Sequence, residues 1–493
     1  MATCTQPTPT PYADLDVMPI AGEWRDGRSG DTAADLDPYT GETLVELALA
    51  GEGDLDAAYE RAQEVQREWM TWLPRERADV LRRAGDILTA RTEEARDWII
   101  RESGASTDVA DFQVAISAQD FYEASSYPGR VEGRILPANV PGKESRVYRK
   151  PVGVVGVISP WNVPMHLSNR SVAPALGVGC GVVLKPAGDT PVAGGLLLAR
   201  VLQEAGLPEG LLSVVIGKGS EIGDAMVAHP IPRVISFTGS TGVGEGIVRK
   251  AGLKKLSLEL GGNGPLVVLD DADLPYAVDA AVFGKFFHQG QVCMITNRIV
   301  VDRSVHDEFV ERFRDRVAAL GVGDPKDPAT VIGPIINQGQ LESVQDKVAR
   351  SLRDGATQVL GGDPTGPAGL VLPPHVLLGD NDVTAAQEEV FGPVATVISA
   401  RDEADALRIA NATEYGLSSA VFTRDAERGV RFALQIDAGM AHVNDQPVND
   451  ENNTAFGGEK GSGLGRFGGA WAIDEFTTDQ WVSVQHTKRA FPF

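Results

Sequence analysis

Cys293 ends the segment Phe286-Phe287-His288-Gln289-Gly290-Gln291-Val292-Cys293, in which two aromatic residues and a glycine turn precede a lone thiol. A thiolate adds readily to a carbonyl carbon and later leaves as readily, so it can hold an acyl group as a thioester between two half-reactions. Such a thiol needs a donor for the oxyanion and a base for water. Glu259 is the candidate base. It stands in the apolar run Leu256-Ser257-Leu258-Glu259-Leu260, directly before Gly261-Gly262. Loss of solvent there raises a carboxyl's pKa toward the range useful for proton transfer, whereas the plainer reading is an acid on the exposed side of a strand end. Asn162, in Pro160-Trp161-Asn162-Val163-Pro164, is either an oxyanion donor through its amide or a turn asparagine beside proline.

A second group of residues suits a phosphate-bearing ligand. Thr238-Gly239-Ser240-Thr241-Gly242-Val243-Gly244 follows an apolar run and leads into a helix expected to begin near Val243. Glycine lets a backbone approach a ligand closely, and the free N–H groups at a helix start attract an anion such as a pyrophosphate. The spacing is not GxGxxG, so a tight strand-to-helix connection competes with that reading. Lys185, followed by Pro186-Ala187-Gly188-Asp189, is placed to serve ribose hydroxyls or a phosphate, or else is an ordinary surface lysine.

The runs that carry these residues are short, apolar and continuous: 152–158, 182–185, 211–216, 233–237, 256–260 and 265–269. Continuous strands separated by helices point to a parallel sheet covered on both faces, with ligands at the strands' carboxyl ends. One intervening helix carries Thr190-Pro191 as cap and first turn, and Gly206 with Pro208 as its stop. Upstream, Leu55, Ala58, Tyr59, Ala62, Val65 and Trp69 recur at helical spacing, with Asp54 placed to cap, and a second helical stretch spans 75–103. Region 130–147, with Gly133, Pro137, Pro141 and Gly142 between β-formers, reads as a protruding ribbon, either a surface hairpin or an arm used in oligomerisation. A second α/β region runs from Asp271 to about Gly469, and 474–493 is a terminal strand and tail.

At 493 residues the chain exceeds one compact core, so two or three packed units are expected. Its 43% hydrophobic and 23% charged residues match soluble globular proteins, and no apolar run approaches the ~20 residues of a membrane span. The Thr- and Pro-rich start, 1–11, lacks a secretory signal's basic and apolar regions and reads as a loose tail, so a cytoplasmic location is expected. A net charge of −23 repels phosphate backbones and argues against a nucleic-acid partner. The three cysteines, Cys4, Cys180 and Cys293, make neither a disulfide framework nor a CxxC zinc pair, and no metal is expected. Cys180, in Leu176-Gly177-Val178-Gly179-Cys180, reads as a small buried hydrophobe.

In chain order, Pro160-Trp161-Asn162, Lys185-Pro186-Ala187, Phe237-Thr238-Gly239-Ser240-Thr241, Leu258-Glu259-Leu260-Gly261-Gly262, Gly290-Gln291-Val292-Cys293, Glu388-Glu389-Val390-Phe391-Gly392-Pro393 and Phe456-Gly457-Gly458 form a set. Together they resemble the aldehyde dehydrogenase superfamily, from about Gly22-Glu23-Trp24 to the last strand. The resemblance implies an α/β fold with a Rossmann-like parallel-sheet dinucleotide-binding domain (1–128 and 151–260), an α/β catalytic domain (261–470) and a β oligomerisation arm (129–150 and 474–493) serving a homodimer or homotetramer. It implies that Cys293 is the nucleophile, that Asn162 and the Cys293 amide form the oxyanion hole, and that Glu259 activates water. NAD or NADP would be bound by Trp161, Lys185, Gly188, Gly239, Ser240, Gly244, Glu389 and Phe391. Of these, Lys185 would meet the adenosine ribose, Ser240 the pyrophosphate and Glu389 the nicotinamide ribose, while Phe391 would pack beside the nicotinamide. Strongly NAD-preferring relatives carry a glutamate where this chain has Gly188, so use of both cofactors is expected unless Asp189 or another acid replaces it.

Within the superfamily the chain looks most like bacterial dehydrogenases of aromatic aldehydes such as vanillin and benzaldehyde. That likeness lies in Met165-His166-Leu167-Ser168-Asn169-Arg170, Lys185-Pro186-Ala187-Gly188-Asp189-Thr190-Pro191, His288-Gln289-Gly290-Gln291-Val292-Cys293-Met294, His442-Val443-Asn444-Asp445-Gln446 and Gly465-Arg466-Phe467-Gly468-Gly469. Trp161, Val163, Met165, Phe287, Met294, Ile295 and Phe456 would line an apolar tunnel suited to a planar ring, or else serve as core, and His166 would hydrogen-bond a ring hydroxyl. No arginine pair suggests a carboxylate-bearing semialdehyde, although Arg170 keeps a semialdehyde substrate open, beside an aliphatic one. A non-catalytic binding protein on this scaffold would lack the thiol or the base, and transfer to coenzyme A is expected of relatives without the glutamate at 259.

Overall fold

The computed structural model describes residues 9–493, so Cys4 and most of the expected tail lie outside the described residues. Two large sheets organise the chain. The first has six strands in the order Gly463–Leu464, Lys255–Glu259, Val234–Thr238, Val154–Ile158, Gly181–Lys185 and Leu212–Val214. All pairs are parallel except that of Gly463–Leu464 with Lys255–Glu259. The three strands Val154–Ile158, Gly181–Lys185 and Val234–Thr238 are almost entirely buried, as continuous apolar runs covered on both faces should be. Following the chain, strand order runs outward on one side from Val154–Ile158 and then restarts on the other at Val234–Thr238. Connections leave these two neighbours in opposite directions, which opens a crevice at their carboxyl ends.

The second sheet has seven strands, with Thr296–Asp302 and Gly264–Val268 near its middle and one antiparallel edge strand, Thr357–Leu360. The chain leaves the first sheet after Glu259 and enters the second at Gly264. It returns once: Gly463–Leu464 pairs with Leu258 and Glu259, so the region expected as a separate unit, 261–470, also supplies an edge of the first sheet. Phe456, Phe467, Val292, Met294 and Ile295 likewise pack into the core around the first sheet. The ribbon is real: Lys143–Pro151 pairs along its full length with Thr477–Gln485 and more briefly with Arg134–Leu136. Two hairpins near the start, Met18–Ile20 with Glu23–Arg25 and Thr32–Leu36 with Thr43–Ala48, have strands too short to show an apolar period.

Three local expectations are corrected. The stretch 75–103 is two helices, Pro74–Ala90 and Thr92–Ser103, broken at Arg91, whose side chain is held by Glu94 and Glu204. Asp54 is not the cap of the helix Glu52–Trp69. It sits at the third helical position and accepts hydrogen bonds from the Gly51 and Arg28 N–H groups while pairing with Arg25. Nor does Thr190 cap the helix after Lys185, since its hydroxyl has no partner. Instead the Glu102 carboxyl reaches in from Thr92–Ser103 and accepts from the N–H groups of Val192 at 2.7 Å and Ala193 at 2.6 Å. A cap supplied from ninety residues away leaves no local signature.

Glu102 is fully buried, so removing its carboxyl strands two helix N–H groups. Glu102→Leu is expected to destabilise the fold by about 2–4 kcal/mol, read as a lower urea midpoint with unchanged slope. An unchanged midpoint would mean that other groups satisfy this helix start.

Candidate active site

The crevice at the carboxyl ends of Val154–Ile158 and Val234–Thr238 holds a cavity of about 220 Å³. It brings together Trp161, Asn162, Gly239, Ser240, Cys293, Glu389 and Phe391 from the sequence-derived set. Cys293 arrives from the other sheet's side, after the helix Leu274–Phe286. His288, Gln289 and Gly290 follow with φ of 50°, 55° and 71°, all in the left-handed region. That geometry costs about 1 kcal/mol or more at each non-glycine residue and persists only where neighbours enforce it. They do so here. Gln289 Nε2 donates to the carbonyls of Gly104 at 2.7 Å and Pro334 at 3.1 Å, and Gln291 Oε1 accepts from the Ile336 N–H at 3.1 Å. Gly290 must be glycine on two counts, because a Cβ would also lie 2.3 Å from the Gly392 carbonyl oxygen.

The same turn orients Asn162. His288 Nε2 donates to the Asn162 carbonyl at 2.6 Å, while the Asn162 amide donates to the Gln291 carbonyl at 2.8 Å. Burial pushes His288 down to about 4, so its ring is neutral, with its proton on Nε2. The side-chain amide of Asn162 keeps a second hydrogen for the cavity.

Glu259 is buried, and neither carboxylate oxygen has a hydrogen-bond partner. Burial pushes it up to about 8, opposed by Arg170 and Arg466 and reinforced by Asp450 and Glu475. Cys293 keeps part of its surface toward the cavity. Desolvation nonetheless drives its thiol up to about 12, with Arg170 opposing and Glu259, Glu389 and Asp450 adding, so the thiol rests protonated. The backbone after Glu259 passes close to Cys293, since a Cβ at Gly262 would lie 2.2 Å from the Cys293 carbonyl oxygen.

The remaining features fit a dinucleotide. Ser240 stands before the first turn of Thr241–Lys250, a helix that starts two residues earlier than expected. Lys185 is buried at the end of its strand, and its amine has no hydrogen-bond acceptor among the described residues. A Cβ at Gly188 would meet nothing within 4 Å, while Asp189 accepts from Asn337 Nδ2 at 3.1 Å. Glu389 Oε1 accepts from the Gly262 N–H at 2.8 Å, leaving Oε2 for a ligand. Burial pushes Glu389 up to about 7 against the Gly262 N–H and the lysines Lys347 and Lys285. Phe391 meets Trp161 edge to face at 5.4 Å. Gly244 has a different reason from the one expected: a Cβ would strike Leu260, so the glycine lets helix and strand pack. Leu167, Gln340 and Lys347 also line the cavity. Gln340 and Lys347 share a face of Gln338–Arg353, two turns apart, and hold the carbonyls of Phe391 at 2.7 Å and Glu389 at 2.8 Å. Nothing in their own sequence context marks them.

The expected ring tunnel is corrected in most of its residues. Met165 is fully buried, and Val163, Met294, Ile295 and Phe456 also belong to the core. Phe287 is half-buried beside Phe112 and Phe283, with ring centroids at 5.7 and 5.1 Å. His166 is no free donor for a ring hydroxyl, because its two nitrogens face Asp120 and Asp450, each at 2.9 Å. Burial opposes its charge, yet the two carboxylates hold it up at about 9. Arg170 lies 3.5 Å from Asp450, with its guanidinium between the rings of Phe456 and Phe467 at 4.5 and 4.7 Å. These groups line a second, small cavity next to the first core.

Among the described residues no helix is long and apolar enough to cross a membrane, and no cluster could hold a metal. Residues 24–482 match the model of the aldehyde dehydrogenase family. The chain is 48% identical to a vanillin dehydrogenase of Corynebacterium glutamicum, over 97% of this chain and 99% of the other. It is 46% identical to a benzaldehyde dehydrogenase of Bacillus subtilis, over 98% and 99%. The crystal structure of an NAD-dependent benzaldehyde dehydrogenase from Corynebacterium glutamicum superposes with a TM-score of 0.88 at 45% identity, covering 96% of this chain and 98% of that one.

The raised Glu259 makes a stability prediction with a definite sign. A carboxyl whose folded pKa is about 8, against an unfolded value near 4.5, stabilises the fold while protonated and loses that contribution as pH rises between the two values. Glu259→Gln does not titrate, so its thermal midpoint is expected to gain on that of the native chain from pH 5 to pH 8 and then run parallel. A constant difference across that range would show that Glu259 titrates normally.

Proposed function

The chain belongs to the aldehyde dehydrogenase family, and on that basis we propose that it oxidises an aromatic aldehyde of the vanillin or benzaldehyde kind to the carboxylic acid with NAD or NADP. The observation that carries this is the cavity at the sheet's switch point that Cys293, the Asn162 amide, Glu389 and Phe391 line together, with the Glu259 charge acting on the Cys293 thiol. When bound, the nicotinamide supplies the hydride acceptor. Trp161, Gly239, Ser240, Gly244, Glu389 and Phe391 would hold it or shape its cleft, with Lys185 and the open step at Gly188 at the adenosine end.

Glu259, with a pKa of about 8, accepts the thiol proton. The thiolate adds to the aldehyde carbon, forming a C–S bond, and the new oxyanion takes hydrogen bonds from Asn162 Nδ2 and the Cys293 N–H. Loss of hydride from that carbon leaves a thioester on Cys293. Glu259, once it has passed that first proton to solvent, takes a proton from water as the water oxygen adds to the thioester carbon. Collapse breaks the C–S bond and releases the acid and the thiolate.

A neutral ring is favoured over a second carboxylate because Arg170 and His166 face Asp120 and Asp450 in a buried cluster whose charges balance. Phe283 and Phe287, on the segment leading to Cys293, and Phe112, from the helix Thr107–Ser125, offer an aromatic surface. The names of the relatives point the same way. Cofactor choice is read from Gly188, where no acid blocks a 2′-phosphate, and from Asp189, which is occupied by Asn337. The six-stranded sheet would be the dinucleotide-binding domain and the seven-stranded one the catalytic domain. The ribbon, with Ile135 and Trp481 exposed, would pair copies into a dimer or tetramer in the cytoplasm.

Removing one oxyanion donor costs roughly 10²–10³ in rate, so Asn162→Ala is expected to be slow but measurable in steady-state assays. Cys293→Ala should abolish turnover and leave calorimetric cofactor binding intact, whereas Glu259→Gln, which lacks the base for both the thiol and water, should lose turnover and release no full burst of reduced cofactor. Full steady-state activity of Cys293→Ala would end the proposed mechanism. Initial rates over benzaldehyde, vanillin, aliphatic aldehydes and succinate semialdehyde test the substrate. The highest kcat/KM is expected for an aromatic aldehyde, with both cofactors used, and a preference for the semialdehyde would overturn the aromatic assignment.

A further inference from the structure

No part of Lys285 reaches solvent, an expensive place for an amine. It stands in the last turn of Leu274–Phe286, eight residues before Cys293. Burial drives its pKa well below the ordinary lysine value, with Glu389 opposing and Lys347 adding. Two acceptors face the amine: Asn297 Oδ1 at 2.9 Å and the Val390 carbonyl at 3.2 Å. Val390 separates Glu389 from Phe391, both of which line the main cavity. Asn297 continues the chain of contacts, with Nδ2 3.4 Å from the Gly262 carbonyl. The Gly262 N–H then donates to Glu389 Oε1, which closes a ring around the segment 389–391. Methionine would fill the same volume without an amine to desolvate, so packing alone does not account for lysine here.

We infer that Lys285 is a positioning residue, which locks the segment 389–391 to the segment leading to Cys293 and so fixes the nicotinamide half of a bound dinucleotide relative to the sulfur. This rests on the cofactor placement proposed above. The adenosine half, at Lys185 and Gly188, lies outside the ring of contacts. Loss of the amine therefore acts on one end of the cofactor only.

The test is calorimetric titration of NAD and, separately, of AMP into the native protein, Lys285→Met and Lys285→Gln, with thermal midpoints recorded for each. In Lys285→Met, NAD is expected to bind about tenfold more weakly, as for loss of a buried hydrogen bond, with AMP affinity within twofold of native and no fall in midpoint. KM for NAD should rise while KM for the aldehyde holds, and Lys285→Gln, which keeps N–H donors, should recover part of the loss. If Lys285→Met does not fold, the glutamine variant decides by the same criterion of weakened NAD with AMP unchanged. NAD and AMP weakening together, or neither changing, would overturn the inference. A native protein that binds neither nucleotide would instead overturn the cofactor placement, and this inference with it.

Discussion

The turn at 288–290 is held in a backbone conformation that two of its three residues disfavour, and the site hangs from it. Its side chains and backbone are fastened to Asn162, Gly104 and Pro334, while Gln291 just beyond it receives Ile336. One short segment thus sets both the height of the Cys293 sulfur in the cleft and the direction of the Asn162 amide. Because interiors are close-packed, such a turn has few alternatives once its neighbours are in place. Cys293 and Asn162 come from different sheets, yet their segments are registered against each other by hydrogen bonds of 2.6 and 2.8 Å.

Around this turn the electrostatics are arranged in two modes. Burial favours the neutral forms of Glu259, whose oxygens have no hydrogen-bond partner, and of the Cys293 thiol. His166, Asp120, Asp450 and Arg170 are instead set against one another, so that two buried cations face two buried carboxylates. Arg170 belongs to both modes. Its charge opposes the rise of Glu259 and of the thiol while its planar group is clamped between two phenylalanines.

Long-range links then join the two sheets into one working unit. Gly463–Leu464 returns from the second region to pair beside Glu259, and its glycine allows it, since a Cβ at Gly463 would meet the Leu258 carbonyl at 2.1 Å. Glu102 caps a helix in the first region from another helix, and Asn337 both caps Gln338–Arg353 and holds Asp189. Apart from the Asn337 cap, these contacts connect residues far apart in sequence and draw on no local propensity.

The sequence by itself determined the parallel strands and the residues at their carboxyl ends, because buried strands must be continuously apolar and ligands collect where such strands stop. Glu259 and Asn162 were legible as candidates for that reason, whereas Cys293 was read from its own turn-bearing segment and the ribbon from glycines and prolines between β-formers. Only the tertiary structure decided the rest. His166, an apparent free donor, is saturated by Asp120 and Asp450, which lie 46 and 284 residues away. Met165 and Phe456, chemically suited to a tunnel, are core. Gln340, Lys347 and Lys285 gain their meaning from backbone carbonyls at 389–391 that no local pattern brings near. A side chain's type fixes which bonds it is able to make, but whether its partner is a ligand or another part of the chain depends on what the fold sets beside it.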